Sequence, residues 1–161
     1  MNQIKIEKVV LSIGGKGETL ERGAKLLELL SGQKAAKMKT KKRIATFGIR
    51  PKLEVGVVVS VRKNAEEFLK KFLAAKDNVL KKSQVTDNTL SFGIKEYIEI
   101  PKVEYQRDIG ILGLDVSVTF TKPGKRVKLK KIKSGRFPKK QQVSKEEIIK
   151  FMQEKFNTKF I

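Results

Sequence analysis

Alternation of apolar and polar positions marks the strands of this chain clearly. In residues 53–62, Leu53, Val55, Val57, Val59 and Val61 occupy every second place, with Glu54, Gly56, Val58, Ser60 and Arg62 between them. Successive strand side chains point to opposite faces, so this pattern predicts a strand with one buried and one open face. Such one-sidedness suits an antiparallel or mixed sheet better than a fully covered parallel one. Residues 110–121 repeat it, with Leu114, Val116, Val118 and Phe120 alternating against Asp115, Ser117, Thr119 and Thr121. Residues 4–13 start with Ile4 and Ile6 between Lys5 and Glu7 and end wholly apolar, and Leu90, Phe92 and Ile94 share one side of a strand that stops before Pro101.

Helical spacing takes over in three places. Leu20, Ala24, Leu27 and Leu30 line one face of residues 18–30, with Glu18 and Glu21 at the positive end of the dipole and Gly32 at the stop. Asn64, with Glu67 three residues on, predicts a capping box ahead of a helix that packs through Phe68, Leu69, Phe72 and Leu73. Ser144 and Glu147 predict another, with Val143 and Ile148 as a hydrophobic staple and a helix running to about Phe156 through Ile148 and Met152. Residues 78–88 carry no decisive pattern. The order strand, helix, strand, helix, strands, helix predicts an α+β fold: a mostly antiparallel twisted sheet with helices packed on one face and the other face open to a ligand.

Two segments fall outside this periodicity, and charge explains them. The chain of 161 residues has 37 Lys and Arg against 17 Asp and Glu, a net charge of +20. Residues 34–52 hold eight cations and no acid, and residues 122–140 hold ten and no acid. Together they contain 18 of the 37 cations, which leaves 19 against 17 acids elsewhere. A near-neutral body therefore carries a basic loop, 34–52, and a basic arm, 122–140, within an expected single domain of residues 1–161. A surface merely kept soluble mixes its charge signs, so two acid-free runs imply a polyanionic partner. Both runs contain Gly and Pro and lack helical apolar spacing, which favours a conforming nucleic-acid arm over a membrane-lying helix. The first run reads as a long mobile loop or hairpin. Phe47 and Phe137 sit inside the runs, placed either to stack on bases or to pack against the loop that bears them.

Candidate chemistry is sparse. There is no Cys and no His, which excludes disulfides, thiolate nucleophiles, Cys/His zinc sites and imidazole catalysis. Gly14, Gly15, Lys16 and Gly17 join a strand to a helix but lack the spacing of a nucleotide-binding loop, so they read as a tight connector whose backbone can also meet an RNA phosphate. Glu66-Glu67 and Glu146-Glu147 are first-turn helix acids, and Asp115 is an isolated acid on an open strand face, so no catalytic pair stands out. No enzyme, cofactor or metal is expected. The first residues hold no signal-type apolar run and no stretch approaches membrane-spanning length, so a soluble cytoplasmic protein is expected.

Five blocks, in order, resemble a known family: IEKVVLSIGGKGE, GQKAAKMKTKKRIATFGIRP, SFGIKEYIEIP, IGILGLDVSVTFTKPGKRVK and VSKEEIIKFMQEKF. Over essentially its whole length the chain resembles large-subunit ribosomal protein five in its archaeal form. The resemblance implies a structural ribosomal protein that binds 5S rRNA in the central protuberance. It further implies contacts with the large rRNA, P-site tRNA and a protein of the small-subunit head. It places Ser12, Gln33 and Ser60 toward 5S rRNA. Gly14, Gly15, Lys16, Lys34, Lys37, Lys39 and Arg62 complete the expected 5S site. It places the loop from Lys41 to Arg50, with Lys42, Arg43, Ile44, Thr46 and Phe47, toward tRNA. The second run resembles a C-terminal arm on rRNA, through Lys125, Arg126, Lys128, Lys130, Lys131, Lys133, Arg136, Lys139 and Lys140. A free RNA-binding assembly factor is the alternative, and a nucleic-acid enzyme is disfavoured by the missing catalytic groups.

Overall fold

The computed structural model describes residues 3–161. The element order is β1 (Lys5–Gly14), α1 (Glu18–Ser31), β2 (Ala36–Lys39), β3 (Glu54–Val61), α2 (Ala65–Ala74), β4 (Val79–Leu80), β5 (Val85–Thr86), β6 (Thr89–Ile94), β7 (Leu114–Thr121), α3 (Arg126–Leu129), α4 (Lys145–Phe156) and β8 (Lys159–Phe160). Six strands form one sheet in the order β2-β3-β1-β7-β6-β5, while β4 and β8 pair parallel in a separate ribbon. The predicted α+β class and mostly antiparallel sheet are what the chain adopts. The undecided stretch 78–88 contains the short strands β4 and β5 with a 3-10 turn between them.

The chain divides into two compact units. One comprises Val10–Val61 and Gly93–Val116, and the other Met1–Val9, Arg62–Phe92 and Ser117–Ile161. In the first, Leu11, Ile13, Val57, Val59 and Val61 are buried while Ser12, Val58 and Ser60 stay partly exposed, so the period-two pattern sorts the faces as expected. Helix α1 packs on the apolar side through Leu20, Leu26 and Leu27. A Cβ on its Gly23 would stand 3.1 Å from the Ile13 side chain. Gly113 is needed for another close approach: a Cβ there would lie 2.7 Å from the Lys95 carbonyl oxygen.

In the second unit, Leu90, Phe92, Val118 and Phe120 face the core, and Phe120 meets Phe151 of α4 edge-on at 5.8 Å. On the other side the Ser91 and Ser117 hydroxyls pair at 3.0 Å. Two residues along each strand, in the part of β6 and β7 that belongs to the first unit, Gly93 meets Asp115. One index rises as the other falls, which identifies β6 and β7 as antiparallel. A Lys155–Glu66 pair at 3.2 Å links α4 to α2.

The two predicted capping boxes fare differently. Asn64 adopts φ 54°, a left-handed conformation, and its side chain makes no capping bond. An N-cap needs extended backbone to aim its side chain at the helix N–H groups, so the backbone conformation overrides the motif. Ser144 is extended, its hydroxyl accepts from the Glu147 N–H, and the Glu147 carboxylate accepts from the Ser144 N–H. Val143 and Ile148 are both fully buried, as a staple requires.

Glu147 also receives the Lys122 ammonium, with Nζ 2.7 Å from its carboxylate oxygens. The Lys122 side chain is only 8% exposed and further donates to the Gln142 carbonyl. Asn88 completes the clasp: its Oδ1 accepts the Val143 N–H at 2.8 Å and its own N–H donates to the Val143 carbonyl. Both feet of the basic arm are thus fixed to the body of this unit.

The Lys122 hydrogen bond, aided by the Ser144 N–H, holds the Glu147 carboxyl below the ordinary carboxylate range. A depressed folded-state pKa means that the stabilisation is fully present above the unfolded value and is lost as pH falls through the folded one. Glu147→Gln keeps a side chain able to accept the capping bond but removes the charge opposite Lys122. It is expected to lower Tm at neutral pH, with the gap from the wild type closing below the ordinary carboxylate range. Thermal melts from about pH 2.5 to about pH 7 check this; a gap of constant size would show that the ion pair contributes nothing.

Candidate nucleic-acid interface

The first basic run forms a hairpin. β2 pairs antiparallel with β3 from Ala36↔Val58 to Lys39↔Glu54, with an irregularity between Met38 and Lys39. The hairpin continues past the strands through Thr40 N–H to the Leu53 carbonyl at 2.9 Å and an Ile44↔Ile49 bridge. Of the two expectations, loop or hairpin, the backbone ladder satisfies the second. Residues 41–48 are all exposed, and Phe47 at 68% exposure packs on nothing that hides its ring. Most of its ring is therefore open to solvent.

Charge is divided along this hairpin. At the neck, Lys37 and Lys39 each lie 3.7 Å from the Glu54 carboxylate. At the tip, Lys41, Lys42, Arg43 and Arg50 have no acidic partner among the described residues. Sequence reading had no role for Glu54. Its signal was present, however: folding the hairpin about the Ile44–Ile49 pair puts Lys39 opposite Glu54.

The β1–α1 connector lies in the same unit. Gly17 has φ 57°, a conformation that side chains rarely adopt, and it opens α1. The Gly15 N–H is taken by the Val55 carbonyl at 3.0 Å, so Gly15 serves the sheet rather than an incoming phosphate. Among the described residues the N–H groups of Lys16, Gly17, Glu18 and Thr19 find no carbonyl partner, as the start of a helix leaves them. The Lys16 ammonium donates to the Phe47 carbonyl and so joins the connector to the hairpin tip. Gln33 is exposed just past α1, its N–H held by Ser31 Oγ at 3.2 Å. Lys34 and Arg62 are exposed, while Ser12 and Ser60 sit half-buried on the open sheet face.

The second basic run is mostly irregular. One helical turn, α3, is followed by a return in which Gly135 N–H donates to the Val127 carbonyl at 3.1 Å. Arg126, Lys128, Lys130, Lys131, Lys133, Arg136 and Lys139 are exposed, and the Lys140 side chain lies outside the described ones. Lys125 differs. It is half-buried and ion-paired to Glu7, which makes it part of the arm's base. Glu7 is the second acid whose role sequence reading missed, because its partner is far away in the chain.

Among the described residues no group of three His, Cys, Asp or Glu could hold a metal, and no helix is long and apolar enough to cross a membrane. A hydroxyl-bearing sheet face, a connector with free backbone N–H groups and two cationic projections are features suited to a polyanionic ligand. Family comparison narrows the class. Residues 1–50 match the model described as ribosomal protein L5, and residues 54–151 match the model of the C-terminal region of the same ribosomal family. The chain is 42% identical over its whole length to large ribosomal subunit protein uL5 of Nanoarchaeum equitans, covering 98% of that protein. It is 43% identical to the protein of the same name from Pyrobaculum aerophilum, over 95% of this chain and 88% of the relative. The chain belongs to the uL5 family of large-subunit ribosomal proteins. It is a structural constituent of the ribosome and not an enzyme.

The neck pairing gives a direct test of the electrostatics. Exposed ion pairs are worth roughly 0.2–1 kcal/mol, so an RNA phosphate can displace Glu54 at modest cost. Glu54→Gln should therefore raise affinity for ribosomal RNA, by about two- to fivefold at low salt. Filter binding against the wild type measures it; unchanged affinity would place the neck lysines away from RNA.

Proposed function

We propose that this protein fastens 5S rRNA into the central protuberance and carries a probe toward P-site tRNA. The observation that carries the reading is the charge division along the β2–β3 hairpin. Acid-paired lysines mark the neck, and cations with no acidic partner among the described residues lie near the exposed Phe47 at the tip, which supports a polyanionic partner there. Lys41, Lys42, Arg43, Ile44, Thr46, Phe47 and Arg50 are the proposed tRNA contacts.

The proposed 5S site comprises Ser12 and Ser60 on the open face, Gly14, Gly15 and Lys16 at the connector, and Gln33, Lys34, Lys37 and Lys39 beyond α1, with Arg62 following β3. What supports this is the chemistry of the surface. Hydroxyl and amide groups suit 2′-OH and base-edge contacts, whereas the lysines add sequence-independent phosphate affinity. Gly15 contributes through the shape of the turn, since its own N–H is engaged. The basic arm is proposed to anchor in the large rRNA. A protein of the small-subunit head is the proposed neighbour across the subunit interface. The chain forms no homo-oligomer in this reading.

Affinity for 5S rRNA should fall with salt by roughly 0.7–0.9 log units per tenfold salt for each phosphate neutralised. Titrations at several salt concentrations measure the slope, and a flat response would sink the cationic mechanism. Removing residues 41–50 should leave 5S rRNA binding within about twofold, because phosphate contacts elsewhere remain. Reconstituted ribosomes bearing that deletion should hold P-site tRNA less tightly. Loss of 5S binding with tRNA affinity intact would reverse the assignment of the hairpin tip.

A further inference from the structure

The second basic arm is more than a string of charges, because it folds over a pocket. Phe137, Lys125, Lys128, Gln141 and Asn88 line a space of about 170 Å³ between the arm and the end of β7. A cavity of about 150 Å³ is enough to hold a benzene ring. The pocket is therefore of a size for one six-membered ring and too small for two stacked bases.

The polar groups of this pocket are selective. Three lysines line it, but two are already neutralised: Lys122 by Glu147 and Lys125 by Glu7. Lys128 alone has no acidic partner among the described residues. One uncompensated cation suits one phosphate and not the multiple charges of a free di- or triphosphate. Asn88 has its Oδ1 committed to the Val143 N–H, so its NH2 group is what it offers to a ligand. The Gln141 amide supplies both a donor and an acceptor. Phe137 is half-buried, which leaves part of its ring available as a wall.

We propose that this pocket takes one unstacked RNA nucleotide, with its base on the Phe137 ring and its phosphate on Lys128. The amides of Asn88 and Gln141 read the base edge. The proposal rests on the reading of the arm as an rRNA anchor and deepens it. A bulged or looped-out residue would give the arm a fixed register on RNA, which exposed lysines alone cannot supply.

Two RNA hairpins test it with the full-length chain: a fully paired stem, and the same stem with a single bulged uridine. Fluorescence anisotropy at one fixed salt concentration gives both affinities. The wild type should prefer the bulged stem by at least about fivefold, the lower end for stacking one base on an aromatic ring. Phe137→Leu should lose that preference while keeping its affinity for the paired stem. Phe137→Tyr keeps the ring and should keep the preference, which separates loss of stacking from a folding defect. Equal binding of the two stems by the wild type, or a leucine variant that still prefers the bulge, would overturn the proposal. A third variant tests the underlying reading. Replacing Lys130, Lys131 and Lys133 together by Gln should weaken binding to both stems. If it leaves the paired stem unaffected, the arm is not an RNA anchor. If it weakens binding while the wild type shows no bulge preference, the anchor stands and the pocket fails.

Discussion

The structure depends on one constraint: a sheet whose apolar side chains must leave mainly by one face. β1, β3 and β7 follow it with few exceptions (Val10 and Val58), burying Leu11, Ile13, Val57, Val59, Val116 and Val118 while placing Ser12, Ser60, Ser117 and Thr119 on the opposite face. A one-residue slip in register would exchange the two sets. Many of the positions that remain are short and carry hydroxyls, so the open side lets another backbone approach closely and offers it hydrogen bonds. This is an inexpensive way to keep a surface wet without filling it with long charged side chains.

Charge is handled by pairing near the body and by leaving cations unpaired at a distance from it. Lys37 and Lys39 meet Glu54, Lys122 meets Glu147 and Lys125 meets Glu7. Each of these cations stands where a basic projection joins its unit. Unpaired cations so close to a packed core would repel one another and raise the desolvation cost of folding. Farther out, at Lys41–Arg43 and Lys128–Lys133, water screens the repulsion and no acid is supplied. The same lysine-rich composition therefore performs two tasks. Lys122, nearly buried, is a structural cation, whereas Lys130 and Lys131 are exposed and open to phosphate.

Much of this was legible from local pattern. The alternation over residues 53–62 and 110–121 identified β3 and β7, and the Ser144–Glu147 box with its Val143–Ile148 staple located α4 to within a residue. Both signals are short-range, which is why they can be read without knowing the fold. Asn64 shows the limit, since its motif is correct but its positive φ turns the side chain away from the helix. The acids that pair with the basic runs were illegible for a different reason. Glu7 and Lys125 are 118 positions apart, and only tertiary structure brings them together. The expected role of Gly15 shifts similarly, because the Val55 carbonyl that takes its N–H arrives from another strand. The family resemblance indicated which partners to consider, but it did not reveal which cations are already occupied.

The basic arm itself shows why fixing a segment differs from folding it. Between its feet it has one short helical turn and exposes Leu129 and Ile132, so apolar burial contributes little to its order. Its ends are nevertheless held, by Lys122 on Glu147 at one foot and by Val143 on Asn88 at the other. Closing a loop in advance removes part of the entropy that a free tail would lose on binding, and it restricts where the cations can reach. An arm of this kind can adapt to a ligand while its two feet stay in the same place. Glu147 makes that possible: the carboxylate that caps α4 also anchors the arm, so the helix and the arm's position are stabilised by the same group.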